Sequence, residues 1–292
     1  MKGIRDIKRR IKSVKNTAQI TRAMQLVAAS KMKRAQDKAL AGRPYSLLLA
    51  EILNALITQG KGRLKHPFME ERTIAKRGIL VIATDKGLCG PLNSNLFRQA
   101  IDIDDAAFIC IGKKSTQFLS RAGRNVIADF SVSDHTNFNE VRVAVEFMIN
   151  AYLKGEIDSL EVLFSRFINT LKQEPVIEQL LPFSSLDATL ESLRKRLQMQ
   201  ESEQLEDARE MLFEPDPQAI LSELPSLFIK QEIYQMVLEA KASEHSARMV
   251  AMKSATDNAK SLVDDLTLQY NKARQAAITQ EILEIAASTA AN

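Results

Sequence analysis

Tryptophan is absent from the 292 residues, and all aromatic residues together make up 5% of the chain. A core with so few rings must be built from aliphatic side chains. Ala, Leu, Met and Ser suit helices that pack closely. Cysteine occurs twice, at Cys89 and Cys110. Two isolated thiols do not make a disulfide framework, and both are expected half-buried in a reducing compartment. No apolar run approaches 18 residues. The longest candidates are Ile79–Ala83 and Ala106–Ile111, so no transmembrane helix is expected. The basic start has no apolar signal core behind it, which excludes a secretory signal. Its Arg content would suit a transit peptide, but its 3/4 spacing runs on without a break through residue 41, as mature structure would.

The most telling absence is at the C-terminal end. Residues 226–292 contain neither Gly nor Pro, where average usage would place about eight. They read as one helix, roughly 100 Å long at about 1.5 Å per residue. A second run without Gly or Pro covers Ile4 to Ala41. Long helices at both ends of a chain point to mechanics or scaffolding before catalysis.

In the first helix the positions Ile4, Ile7, Ile11, Val14, Ala18, Thr21, Gln25, Ala28, Met32, Ala35 and Ala39 follow steps of 3 and 4. A stripe with a 3.5-residue period calls for a partner helix along its length. Gly42 and Pro44 are expected to interrupt it, with a further helix over Tyr45–Ile57 and a polar connector over 60–76. In the last helix Ile229, Ile233, Met236, Ala240, Ser243 and Ala247 keep 3/4 steps. Ala251, Ala255 and Ala259 then step by four before Leu262 and Leu266. That lengthened period predicts weaker supercoiling there. The two helices are natural partners, and the longer is expected to project alone at one end. Pro215, Pro217 and Pro225 are expected to punctuate the entry to the last helix.

Charge is unevenly placed. Residues 1–40 hold 12 Lys/Arg against Asp6 and Asp37, a local net of +10; with +4 overall, the other 252 residues carry −6. The basicity belongs to the first helix. It implies an acidic partner: nucleic acid, anionic lipid or protein carboxylates. A solvated helix face is the plainer alternative.

Between the ends, strand and helix alternate. Strands are predicted at Gly78–Ala83, Ala106–Ile111, Val126–Phe130, Leu160–Asn169 and Val176–Pro182. Helices are predicted at Leu92–Ile101, Lys114–Ala122 and Asn139–Leu153. The alternation argues a Rossmann-like α/β domain with a mostly parallel sheet. A charged, glycine-free surface helix is predicted over 185–212. The chain therefore divides into an N-terminal shaft helix (1–58), the α/β domain (77–183), a charged surface segment (184–218) and a C-terminal shaft helix (219–292).

Chemistry is hard to find. Gly112-Lys113-Lys114-Ser115-Thr116 resembles the tail of a phosphate loop. It lacks the first glycine, since Ala107 stands there, and Lys114 takes the Ser/Thr position. Asp85-Lys86-Gly87-Leu88-Cys89-Gly90 follows the first strand, where α/β folds often bind ligands, but it lacks the G-x-G-x-x-G spacing and reads as a tight turn. Cys89 has no nearby histidine. His66, His135 and His245 show no metal-ligand spacing. No catalytic residue, metal ligand or cofactor is expected.

Longer strings carry a resemblance. Ile20-Thr21-Arg22-Ala23-Met24-Gln25-Leu26-Val27-Ala28-Ala29-Ser30-Lys31-Met32 resembles the N-terminal helix of the gamma subunit family of F-type ATP synthases. Thr84-Asp85-Lys86-Gly87-Leu88-Cys89-Gly90, with Asn93, is similar to that family's first strand and turn. Gln179-Leu180-Leu181-Pro182, Glu214-Pro215-Asp216-Pro217, Ala247-Arg248-Met249-Val250-Ala251-Met252 and the run from Tyr270 to Glu281 match its bacterial members. Two features depart from it: Ser288-Thr289 where Gly-Ala is usual, and a longer stretch between Pro182 and Glu214.

The resemblance implies a non-catalytic rotor without a cofactor. Its terminal helices form an antiparallel coiled coil within an alpha3beta3 hexamer, and its α/β domain meets the epsilon subunit and the c ring. It implies a peripheral protein on the cytoplasmic face of the bacterial inner membrane, one copy per complex. Carried over residue by residue, Arg9, Met24 and Lys31 face the bearing region of the ring. Arg274, Gln275 and Thr279 meet a beta loop in the upper sleeve, and Phe213 and Glu214 meet the c ring and epsilon. Met24 lies off the 4/7/11/14 seam and is expected to face outward. The rival reading is a basic coiled-coil scaffold or nucleic-acid binder. It is weakened by the lack of any aromatic in the first 40 residues, since single-strand binding relies on base stacking. An α/β enzyme with helical arms is disfavoured by the missing chemistry.

Overall fold

The computed structural model describes residues 3–59, 65–70, 72–183, 213–214 and 216–290. The surface helix expected over 185–212 lies outside the described residues. The chain forms two compact units, one of Ser30–Ala247 and one of Met1–Ala29 with Arg248–Asn292. Two helices contribute to both: α1, Ile4–Gln59, and α5, Pro217–Ala290.

In the larger unit, β1 (Arg77–Ile82), β2 (Ala106–Ile111), β3 (Val126–Phe130), β4 (Ser159–Phe167) and β5 (Gln173–Leu181) form one sheet in the order β3-β2-β1-β4-β5. The first four strands are parallel, and β5 returns antiparallel to β4. α2 (Leu92–Ile101), α3 (Lys113–Arg121) and α4 (Phe138–Leu153) are the crossovers. Successive strand residues point to opposite faces, and here both faces are covered. Ile79, Val81, Phe108 and Cys110 pack with Leu96, Phe97 and Ala100 of α2 and Leu119 of α3. Leu80, Ile82, Ile109 and Ile111 face the other way. They share a core with Val145 and Met148 of α4, Leu53 and Leu56 of α1, and Phe228, Ile229 and Ile233 of α5. That is why these strands read as continuous apolar runs rather than alternating ones.

Both long helices overrule the breakers read as boundaries. α1 passes through Gly42 and Pro44 and so includes the separately expected helix over 45–57. α5 begins at Pro217 and passes through Pro225. An interior proline costs about 3 kcal/mol. Around Pro44, Leu47, Leu49, Leu53 and Leu56 are 7% exposed or less, and each buried leucine contributes about 1.5–3 kcal/mol. Leu221, Phe228 and Ile229, all fully buried, do the same around Pro225. Gly42 is there for contact: a Cβ at that position would stand 1.9 Å from the side-chain nitrogen of Gln235. Four residues on, Gln231 donates to Ser46 Oγ at 3.3 Å. The two helices therefore run antiparallel in this unit. One stretch of α1 is long and apolar enough to cross a membrane by length and composition, contrary to the expectation from apolar runs. Leu47, Leu49, Leu53 and Leu56 of that helix belong to the domain core.

In the smaller unit, α1 covers its expected stripe. Ile4, Ile7, Ile11, Val14, Ala18, Thr21 and Gln25 are half-buried and Ala28 is buried, while most residues between them are exposed. α5 departs from expectation. Met252, Thr256, Ala259, Val263, Leu266, Tyr270, Ala273 and Ala277 are all covered, an unbroken series of 4 and 3 steps, and Ala251 and Ala255 are half-buried beside its first two members. The seam therefore keeps a 3.5-residue period where a lengthened one was expected, and Leu262, read as part of it, is 39% exposed. Ala251 and Ala255 are covered as expected, but their larger neighbours Met252 and Thr256 are the more deeply buried and carry the seam on. Thr21 Oγ1 and Thr256 Oγ1 lie 2.7 Å apart. Stepping from that pair in antiparallel register sets Ala18 against Ala259, Val14 against Val263, Ile11 against Leu266 and Ile7 against Tyr270. Every one of these is covered.

This register is testable with one pair. Thr21→Cys with Thr256→Cys, on a background of Cys89→Ala and Cys110→Ala, is expected to oxidise to a disulfide within a single chain. Such a bridge shifts the band on non-reducing gels. A shift only to dimers, or none, contradicts the register.

Candidate functional site

The turn after β1 and the N-terminus of α3 form the place where an α/β sheet would bind a phosphate. Here the chain fills it. Lys113 N donates to the Asp85 carboxylate at 3.0 Å, and Lys114 N donates to the Thr84 carbonyl at 3.0 Å. Gly112 adopts φ +96°, and a Cβ there would meet the Ala83 carbonyl oxygen at 2.3 Å. The glycine thus serves close packing of the turn on β1. A fixed carboxylate at the helix terminus repels the anion that a phosphate loop would attract.

The neighbouring residues lock the same turn. Asn93 Nδ2 donates to Thr84 Oγ1 at 2.7 Å, and Thr84 Oγ1 donates to the Lys86 carbonyl at 2.8 Å. Cys89 and Cys110 form no disulfide and are more deeply buried than expected, at 2% and 0% exposure. Burial pushes the Cys110 thiol up, away from the thiolate that reactivity needs. Among the described residues no group of three or more His, Cys, Asp or Glu is placed to hold a metal ion.

The remaining candidate surface is the outside of the smaller unit. Arg5, Lys8, Arg9, Arg10, Lys12, Lys15 and Arg22 are all exposed, so the basic charge of α1 lies opposite its seam. Arg9 pairs with Asp6 at 3.0 Å with its side chain 83% exposed, a contact worth little in water. Met24 is half-buried beside the seam, less outward than expected, because position 24 lies between Thr21 and Ala28. It joins an apolar strip that sequence reasoning missed: Ile20 and Val27 are 61% and 55% exposed. The 20/24/27 spacing was the available signal, masked by the stronger 3/4 stripe next to it.

On α5, Arg274 and Gln275 are exposed between the covered Ala273 and Ala277. Thr279 is exposed, with its hydroxyl turned back to the Gln275 carbonyl at 2.9 Å. Beyond them stand Ile278, Ile282, Leu283 and Ile285, 48–65% exposed. These too were missed, because the expected seam ended at Leu266.

The other three expected contacts belong to the larger unit. Lys31 donates to Asp134 of its own chain at 2.5 Å. Phe213 is half-buried and packs against the domain core, and Glu214 is exposed.

Comparison with known proteins covers the whole of this arrangement. A family profile described as ATP synthase matches residues 3–291. The ATP synthase gamma chain of Opitutus terrae is 54% identical over 289 residues, spanning 99% of this chain and 98% of that one. The ATP synthase gamma chain of Methylacidiphilum infernorum is 47% identical over 292 residues, spanning 98% and 97%. Among solved structures, a chain of the Euglena gracilis mitochondrial ATP synthase OSCP/F1/c-ring assembly shares the fold. Its TM-score is 0.68 at 18% identity, over 99% of this chain and 94% of that one. A chain of the Tetrahymena thermophila central stalk and c ring has TM-score 0.58 at 22% identity, over 81% and 99%.

The filled helix terminus generates an expectation for the isolated chain. It should show no ATP binding near micromolar concentration and no hydrolysis, and Lys113→Ala should change neither. Saturable binding by calorimetry that Lys113→Ala abolishes would contradict the assignment of Asp85 as the occupant.

Proposed function

Because the chain belongs to the ATP synthase gamma-chain family, we propose that it is the central rotor of an F-type ATP synthase. It turns with the membrane c ring and transmits that rotation to the catalytic beta subunits, so that ion flow drives ATP synthesis and hydrolysis drives the reverse. One copy serves each complex. The paired terminal segments, 1–58 and 219–292, act as the shaft within the alpha3beta3 hexamer. The α/β domain, 77–183, meets epsilon and the c ring. The chain itself is non-catalytic and peripheral, at the cytoplasmic face of the inner membrane.

The observation that carries this reading is the asymmetry of the smaller unit. One continuous seam holds the two helices to each other, and the outside offers only charge and short apolar strips. A shaft needs that combination of firm internal adhesion and weak external contact. The contact must also be unequal. A rotor that met every state of a beta subunit with the same free energy would shift none of them. Met24, beside the Thr21–Thr256 pair, and Arg9, Arg274, Gln275 and Thr279, nearer the far end of the shaft, are the positions we assign to the ring. Phe213 and Glu214 are assigned to the c ring and epsilon. The ammonium of Lys31, assigned to the bearing by resemblance, is engaged by Asp134. The nucleic-acid alternative finds no aromatic residue among the first 40, where the basic charge lies, to support it.

Met24→Lys tests the bearing. The half-buried thioether slides past varied surfaces. A lysine adds a cation that passing carboxylates can hold. A pairing worth about 1 kcal/mol in one rotary position slows departure from it about fivefold. The variant complex is expected to assemble and hydrolyse ATP but to move several-fold fewer ions per ATP in membrane vesicles. An unchanged ratio removes Met24 from the bearing, and loss of assembly makes it a packing residue of the seam.

A further inference from the structure

The segment joining β3 to α4, residues 131–137, holds both long helices within the larger unit. From α1, Lys31 donates to Asp134 Oδ2 at 2.5 Å. Two turns further along the same helix, Lys38 donates to the carbonyl of His135 and reaches that of Thr136 at 3.5 Å. From α5, the Tyr234 hydroxyl donates to the same Thr136 carbonyl at 3.3 Å, and its ring meets Phe138 edge-on at 5.6 Å. Lys230, four residues earlier, pairs with Glu146 of α4 at 3.0 Å.

The loop is built to present these acceptors. Ser133 donates to the Glu140 carboxylate through its N–H at 2.9 Å and its hydroxyl at 3.0 Å. Thr136 donates to the Ser133 carbonyl through its N–H at 3.0 Å and its hydroxyl at 3.1 Å. Val132 anchors the loop in the core. Thr136 is 2% exposed and adopts φ +41°. A β-branched residue seldom takes that conformation, and strain of this kind persists where surrounding structure imposes it for a purpose. The bond from Lys31, helped by the nearby charge of Lys241, holds the Asp134 carboxyl below its ordinary range. It therefore stays charged at neutral pH.

Apolar burial joins the sheet to the helices firmly but without direction. Under a twisting load, a helix held only by an apolar face can roll or slide on it. Directional bonds at two heights of one helix, about 10 Å apart by helical rise, resist both movements. We propose that the 131–137 loop is the coupling through which the α/β domain drives the helical pair, with Lys31–Asp134 and the Lys38 and Tyr234 bonds as its grips. The proposal rests on the rotor reading above and assigns to Lys31, Lys38, Asp134 and Tyr234 the transmission of torque inside the chain.

The test uses the assembled complex in membrane vesicles, with ATP hydrolysis and ion pumping measured together. Lys31→Asp and Asp134→Lys are each expected to lower ions moved per ATP at least about threefold while assembly is kept. The double exchange, which restores opposite charges, is expected to return the ratio close to the parent's. A grip is rescued by the exchange, whereas a local packing defect at either site is not. Single variants that keep the parent ratio overturn the proposal, as does a double exchange that pumps as poorly as the singles. Should charge reversal block assembly, the near-isosteric Asp134→Asn is read by the same criterion. A parent complex that itself fails to couple hydrolysis to pumping refutes the rotor reading and this coupling with it, a result distinct from failure of the variants alone.

Discussion

Two helices from opposite ends of the chain remain extended because each covers one narrow face of the other. An isolated helix of this length in water has nothing to bury, and its stability rests on propensity alone. Here Thr21 meets Thr256 across 235 positions of sequence, and covered residues recur on both helices every 3 or 4 positions. The period matters more than the residue types. At 3.5 residues the covered face stays turned to its partner, so a seam of modest side chains such as Ala18, Ala259, Val14 and Val263 can run continuously. Everything outside the seam is then free to be basic, polar or thinly apolar. That freedom lets the unit present an outer face that touches partners without gripping them.

The larger unit solves a different problem. Its parallel strands need cover on both faces. α2 and α3 supply one side, and α4 together with α1 and α5 supply the other. The long helices are therefore part of the domain core, with Leu53, Leu56, Phe228 and Ile233 fully buried. This is also why proline fails to end either helix. At Pro44 and Pro225 the buried residues before and after the ring outweigh the lost hydrogen bond.

The central strands were legible because a strand buried on both faces is a short apolar run between turn residues, and β2 falls where that pattern placed it; the edge strand β3, with Ile127 and Asp129 exposed, also keeps its predicted bounds. The first helix seam was legible for the same kind of reason, since isoleucine and valine mark it plainly. The second seam was legible in part: Ala251, Ala255 and Ala259 are covered as read, but a stripe drawn through alanines, which suit almost any period, passed over the buried Met252 and Thr256 and took in the exposed Leu262. The departure from a phosphate loop was legible from missing glycine and serine. The contact of Asp85 with that helix terminus was not, because Asp85 reaches it only once β1 and β2 are paired. Lys31 illustrates the remaining limit. On the helix it is one of many exposed-looking lysines, and its carboxylate partner is 103 residues away.

The central claim is that this chain turns while the ring around it does not. In the complex immobilised through its beta subunits, a probe attached at the exposed position 121 of α3 follows the motion of the chain directly. With ATP supplied, the account predicts continuous rotation of the probe in one direction, arrested when nucleotide is removed. A probe that stays fixed relative to the ring while the same complexes hydrolyse ATP would contradict it.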